Sequence, residues 1–243
     1  MKLQREVLER AAEITSLSLD TLEELNLSDK RLDNISELRR TTRLLELNLA
    51  FNGVRDCRPL EGLLNLRSLN LMHNKIGDLS ALKDLTALQV LRLSNNHVTE
   101  LCNLSGLASL EEMWVNHNRI AGIDQLASLA PLTKLRTLVL TPNPVCTNRE
   151  VPKEYHRHLV IHSVQSLEFF DGIPVPAEDR EAANAYLSAP AMKVRTKALT
   201  DSRFTGGKPG PRVRATGLAA AAERAGAQAG AEASASTAPT ANP

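Results

Sequence analysis

Few residues in this chain are of types and spacings that could do chemistry. His158 and His162 stand four apart in "HRHLVIHS", with His156 beside them. Two imidazoles at i and i+4 share a helix face and can hold zinc. No HExxH glutamate and no nearby cysteine completes that set, so the reading is a packed or exposed helix face. "FTGGKPG" contains a Gly-Lys pair, but Pro209 stands where a phosphate-binding loop needs Ser or Thr. His73 and His117 recur at one spacing with Phe51 and Asn95, which makes a surface column rather than a triad. Cys57, Cys102 and Cys146 lie far apart, and none has an activating base nearby. No enzyme, metal site or cofactor is read from these residues.

Composition narrows the remaining classes. The 243 residues carry a net charge of +1, which gives no general reason to expect nucleic acid or an anionic membrane. Three scattered cysteines suit a reducing compartment. The opening "MKLQREVLERAAEI" is charged throughout, and no secretory or membrane-spanning segment is expected. Aromatic residues are only 3%, and regularly spread leucines carry the hydrophobicity instead.

Those leucines form a repeat, which decides the fold. The frame L-x-x-L-x-L-x-x-N-x-[IVL] fits at Leu22, Leu44, Leu66, Leu88, Leu110 and Leu135. A worn copy is read at Val164-Leu167-Phe169, with Gly172 at the asparagine position. The first apolar positions step by 22, 22, 22, 22, 25 and 29 residues. Between frames, apolar residues fall every third position, as in Ile76, Leu79, Leu82, Leu85 and Leu88. That period matches a 3₁₀-like path rather than an α-helix. The longer copy keeps it through Ile120, Ile123, Leu126, Leu129, Leu132 and Leu135. Each copy is therefore a short strand, a turn and a tight helical return. Stacked copies share one core and curve into an arc. Asn52, Asn74, Asn96, Asn118 and Asn143 are expected to form a ladder that satisfies buried backbone groups, with Lys30 breaking it in the first copy.

The chain resembles the 22-residue leucine-rich-repeat class. That class includes the nuclear regulatory subunit of protein phosphatase 1, many axonemal and ciliary proteins, and the A-prime protein of a spliceosomal ribonucleoprotein. The fold class expected is α/β: a leucine-rich-repeat solenoid of about six repeats, with short parallel strands on the concave face and terminal caps. Residues 1–20 read as an N-terminal capping helix, with Leu3, Val7, Ala11 and Ile14 at helical spacing. Residues 21–146 are the repeats. Residues 147–187 resemble the C-terminal cap of the class, on Tyr155, Leu167, Asp171-Gly172 and Asp179-Arg180. Residues 188–243 read as a disordered tail, first basic and then alanine-rich.

A partner surface follows from strand alternation. The residue between the second and third leucines faces out, giving a column Asn26, Asn48, Asn70, Arg92, Trp114, Val139. The column before reads Glu24, Glu46, Ser68, Val90, Glu112, Thr137, and the column after reads Ser28, Ala50, Met72, Ser94, Asn116, Thr141. Trp114 is the only tryptophan, at a position the repeat does not require. A large aromatic ringed by Arg92, Glu112 and Asn116 fits a binding hot spot. Packing against its neighbours or under the tail is the alternative. The partner-binding residues expected are Trp114, Arg92, Glu112, Asn116, Met72, Val90, Val139, Asn70, Glu46 and Asn48. Phe51 reads as turn packing.

The function expected is a non-enzymatic scaffold or adaptor, monomeric, binding a protein partner on the concave face and using no cofactor. The resemblance implies a cytoplasmic or ciliary setting with an axonemal or cytoskeletal partner. A phosphatase-1 regulator and a spliceosomal A-prime-like component, with the nucleus as compartment, stay open as alternatives.

Overall fold

The computed structural model describes residues 21–147 and 155–189. The capping helix read at the N-terminus and the basic and alanine-rich tail lie outside the described residues. Each leucine frame forms a three-residue strand. The strands are β1 (Glu24–Asn26), β2 (Glu46–Asn48), β3 (Ser68–Asn70), β4 (Val90–Arg92), β5 (Glu112–Trp114) and β6 (Thr137–Val139). All six pair in parallel, in sequence order. The register equals the repeat step, so Leu25, Leu47, Leu69, Leu91, Met113 and Leu138 stack in one buried row.

The returns are tight because only 3₁₀ geometry places every third side chain on one face. Short 3₁₀ turns occur at Ser36–Arg40, Arg58–Leu60, Ser80–Leu82 and Cys102–Leu104. Three start from a side-chain acceptor: Asn34, Asp56 and Asp78 accept from the N–H two residues on, at 2.8–2.9 Å. Those bonds, with the Arg58 guanidinium on Asp56 and the Ser80 hydroxyl on Asp78, hold both carboxyls below the usual carboxylate range. The longer copy departs from the 3₁₀ expectation. It forms one turn of α-helix, α1 (Asp124–Ala127), closed by Ser128 N–H to the Asp124 carbonyl at 3.2 Å. The extra triplet provides the length for an i→i+4 bond, while Leu126, Leu129, Leu132 and Leu135 keep their i→i+3 bonds and stay buried.

The asparagine ladder forms as expected. Asn96 shows its logic. Its Oδ1 accepts from Ile76 N–H in the preceding copy at 3.0 Å, and its Nδ2 donates to the Leu71 and Leu93 carbonyls at 2.8 and 3.0 Å. Asn74, Asn118 and Asn143 repeat the pattern. One side chain thus supplies the turn of its own copy and staples it to the copy before. Where Lys30 breaks the ladder, Asn52 Oδ1 accepts from the Lys30 and Leu32 N–H groups.

Beyond β6 the sheet continues through β7 (Phe169–Phe170, parallel) and ends in β8 (Ile173–Pro174, antiparallel). This corrects the register of the worn copy. Phe170, not Leu167, pairs with Leu138 and is buried, whereas Phe169 is 43% exposed. Leu167 takes the first-leucine position, 32 residues after Leu135, because the longer connection carries α2 (Tyr155–Ser163). At the next turn Asp171 does the stapling, accepting from Leu140 N–H, Thr141 N–H and the Thr141 hydroxyl. Helix α2 packs against α1 and against α3 (Ala177–Ser188), burying Tyr155, Leu159, Val160 and Ile161. Among the described residues, no helix is long and apolar enough to cross a membrane.

Candidate functional site

The histidines of α2 are taken up by contacts with neighbouring elements, and the Gly-Lys pair of "FTGGKPG" lies outside the described residues. His162 meets Asn184 at 2.6 Å, His158 lies against Tyr186 with ring centroids 4.7 Å apart, and His156 faces Phe170. The three histidines thus help join α2 to its neighbours. Among the described residues, no group of three or more His, Cys, Asp or Glu is placed to hold a metal ion. Burial pushes the Cys57 thiol from an ordinary 9.0 up to about 12, and burial also raises Cys146. Cys102 is exposed. Thiol labelling of the folded protein at neutral pH is expected to modify Cys102 readily and Cys57 only after denaturation; fast labelling of Cys57 would contradict the buried placement. A raised folded value also means that stability from Cys57 is present below pH 9 and declines as pH rises from there toward 12.

What remains is the outward face of the sheet. It is concave, with a cavity of about 510 Å³ over β1–β4. Strand alternation places the two central columns outward, and the register sets their members side by side. Of the expected site residues, Arg92, Glu112 and Trp114 come together most closely. Arg92 and Trp114 are direct partners across β4 and β5. The Arg92 guanidinium lies 5.1 Å from the Trp114 ring centroid, and its Nε and Nη2 both donate to Glu112 Oε1 at 3.1 and 3.0 Å. Such a half-exposed cation–π contact contributes about 0.5–1 kcal/mol, and the ion pair no more than about that. Their combined effect is to fix the indole.

Val139 lies beside Trp114, and Val90 lies beside Glu112. Asn70 and Asn48, one and two strands from Arg92, line the cavity with Glu46. The third column departs from expectation. Met72 and Asn116 are half-exposed, but Ala50 and Ser94 are buried. The chain bends there into a left-handed residue, which draws small side chains under the turn. That residue is Phe51, His73, Asn95 or His117 in successive copies, all with φ between 53° and 59°.

Sequence reading missed the exposure of two residues. Phe51 is 56% exposed and stacks on His73, with centroids 4.3 Å apart. That stack is the turn packing expected of Phe51, although much of the ring stays exposed. Phe169 extends the open face onto β7. Its exposure could be read only once the register of β7 was known.

Trp114 itself is half-buried, and its Nε1–H is shielded from solvent without a hydrogen-bond partner. An orphaned donor costs about 1–3 kcal/mol. Trp114→Phe removes that donor and keeps most of the ring. It is expected to leave the melting temperature unchanged or raised, and a fall of several degrees would show that the indole nitrogen is stabilised after all.

Eight described strands paired in chain order, tight returns and a stapling asparagine in five successive copies define a repeat solenoid with one open sheet face. The chain belongs to the leucine-rich-repeat family. A "Leucine-rich repeat" model matches residues 68–199, and a "Leucine Rich repeats (2 copies)" model matches residues 42–84. Two of the solved structures it resembles share the fold at TM-scores above 0.5. An internalin from Listeria monocytogenes is 23% identical at a TM-score of 0.55, covering 70% of this chain and 54% of that one. The Leptospira interrogans leucine-rich-repeat protein LIC12759 is 27% identical at 0.54, covering 69% and 42%. A chain of the Drosophila melanogaster SNF/U2A′ complex is 22% identical at 0.49, covering 72% and 87%. This chain thus spans about half or less of the first two relatives. No curated protein sequence matches it. Domains of this family generally mediate protein–protein interaction and are typically non-enzymatic.

Proposed function

We propose that this chain is a scaffold or adaptor that binds a protein partner on its concave sheet face. The carrying observation is the Arg92–Trp114–Glu112 group. The repeat requires none of these three residue types, yet they lock one another in place at the middle of the open face. A rigid, half-exposed tryptophan loses little conformational freedom on binding, which suits a hot spot. Affinity purification of the wild type beside Trp114→Ala tests the reading. Partners lost only in the variant support it, and an unchanged partner set with a folded variant rejects it.

We further read residues 147–187 as the closing cap of the 22-residue class, and a ciliary or axonemal scaffold in the cytoplasm as the setting. The resemblance of residues 147–187 to the cap of a class that includes many axonemal and ciliary proteins, with the charged opening segment, supports this. A tagged protein that is uniformly nuclear would overturn the setting while leaving the concave site intact.

A further inference from the structure

The concave face is not uniform along its length. At β1–β3 it is polar, with Asn26, Asn48 and Asn70 in direct register. Each spends its Oδ1 on the N–H two residues ahead, at 3.0, 3.0 and 3.1 Å. Their Nδ2 donors have no protein partner among the described residues, so three amide donors face the cavity one strand apart. Glu24 and Glu46 stand directly opposite each other, and neither is paired with a cation among the described residues. Like charges in that relation are destabilising. Within the three outward columns the one cation is Arg92, already held by Glu112 at 3.0 Å. At β5–β7 the face turns apolar through Trp114, Val139 and Phe169.

We infer that the occupant of this face is an extended segment of another protein that sets a lysine or arginine against Glu24 and Glu46 and a bulky apolar side chain against Trp114 and Val139. This rests on the concave-face reading above and gives that site its partner chemistry. The unpaired carboxylates supply charge complementarity. An extended chain turns carbonyls to one side every second residue, about 6.6 Å apart, so the row of amide donors, about 4.8 Å from strand to strand, meets two of them; a helix presents none. The spacing follows from the sheet. Glu46 and Trp114 are three strands apart, roughly 14 Å at about 4.8 Å per strand. An extended chain covers that in about four residues at about 3.3 Å each. The basic and apolar residues of the segment therefore lie about four apart.

The test is a selection of random 12-residue peptides, displayed on phage, against the full chain. Enriched peptides are expected to pair Lys or Arg with Leu, Ile, Phe or Met three to five residues away. Binding of the best synthetic peptide lacking tryptophan is then read from the emission of Trp114, the only tryptophan in the chain. Glu24→Lys/Glu46→Lys is expected to weaken it by roughly tenfold or more, and Glu24→Gln/Glu46→Gln by less. A version of the peptide with its basic residue replaced by Gln is expected to bind both charge variants and the wild type alike. Enrichment of acidic or purely apolar peptides, no enrichment at all, or equal binding to the Lys variants overturns the inference. The wider reading fails separately, through an unchanged partner set with Trp114→Ala.

Discussion

Replacing Asn96 with alanine is expected to destabilise the protein by about 2–3 kcal/mol, a sizeable part of the total stability of a typical domain. The substitution removes little volume, but it orphans the Ile76 N–H in a site that water does not reach and takes one of two amide donors from the Leu71 and Leu93 carbonyls, which keep Asn74 and Asn118. Each orphaned group costs about 1–3 kcal/mol. In a domain of this size that lowers the melting temperature by about 5–10 °C. Asn96→Asp is expected to do no better, since a carboxylate would face two carbonyl oxygens. Asn52, half-buried at the start of the ladder, is expected to cost less because solvent replaces part of what is lost. Thermal unfolding of the three variants checks this. An Asn96→Ala loss below about 1 kcal/mol would mean that the ladder is not what joins successive copies.

The second large effect is on binding rather than folding. Trp114→Ala is expected to weaken the partner by about 2 kcal/mol or more, roughly thirtyfold, as truncation of a central aromatic hot spot does. Its folding cost is expected to be smaller, about 1–2 kcal/mol. The side chain is only half-buried, and removing the orphaned Nε1–H offsets part of the lost packing. Glu112→Ala should weaken binding less, by releasing Arg92 from its position over the ring. Titration of the captured partner separates the two quantities. A Trp114 variant that binds normally but melts much lower would assign the indole to packing.

Much of this was legible because the repeat ties sequence step to strand register. A 22-residue step puts Asn70 beside Asn48 and Trp114 beside Arg92, so the outward columns could be written from the letters alone. The ladder was legible for the same reason, as asparagine recurs where a turn leaves backbone groups unmet. Departures came where the step changed. The extra triplet before Leu135 could close as 3₁₀ or as α, and local hydrogen bonding chose α at Asp124–Ala127. The break before Leu167 hid the register of β7, so Phe169 was placed inside when it faces out. Exposure at the left-handed column was hidden too, because positive φ at Phe51 leaves no mark in an apolar pattern.

The central claim is that a protein partner sits on the concave face. Site-specific photocrosslinking tests it most directly, with the reactive residue placed either at Val139, in the outward column beside Trp114, or at Leu64, exposed on a return segment. The account predicts a crosslinked partner from position 139, lost on Trp114→Ala, and none from position 64. Crosslinks from position 64 with none from position 139 would place the partner on the returns and contradict it.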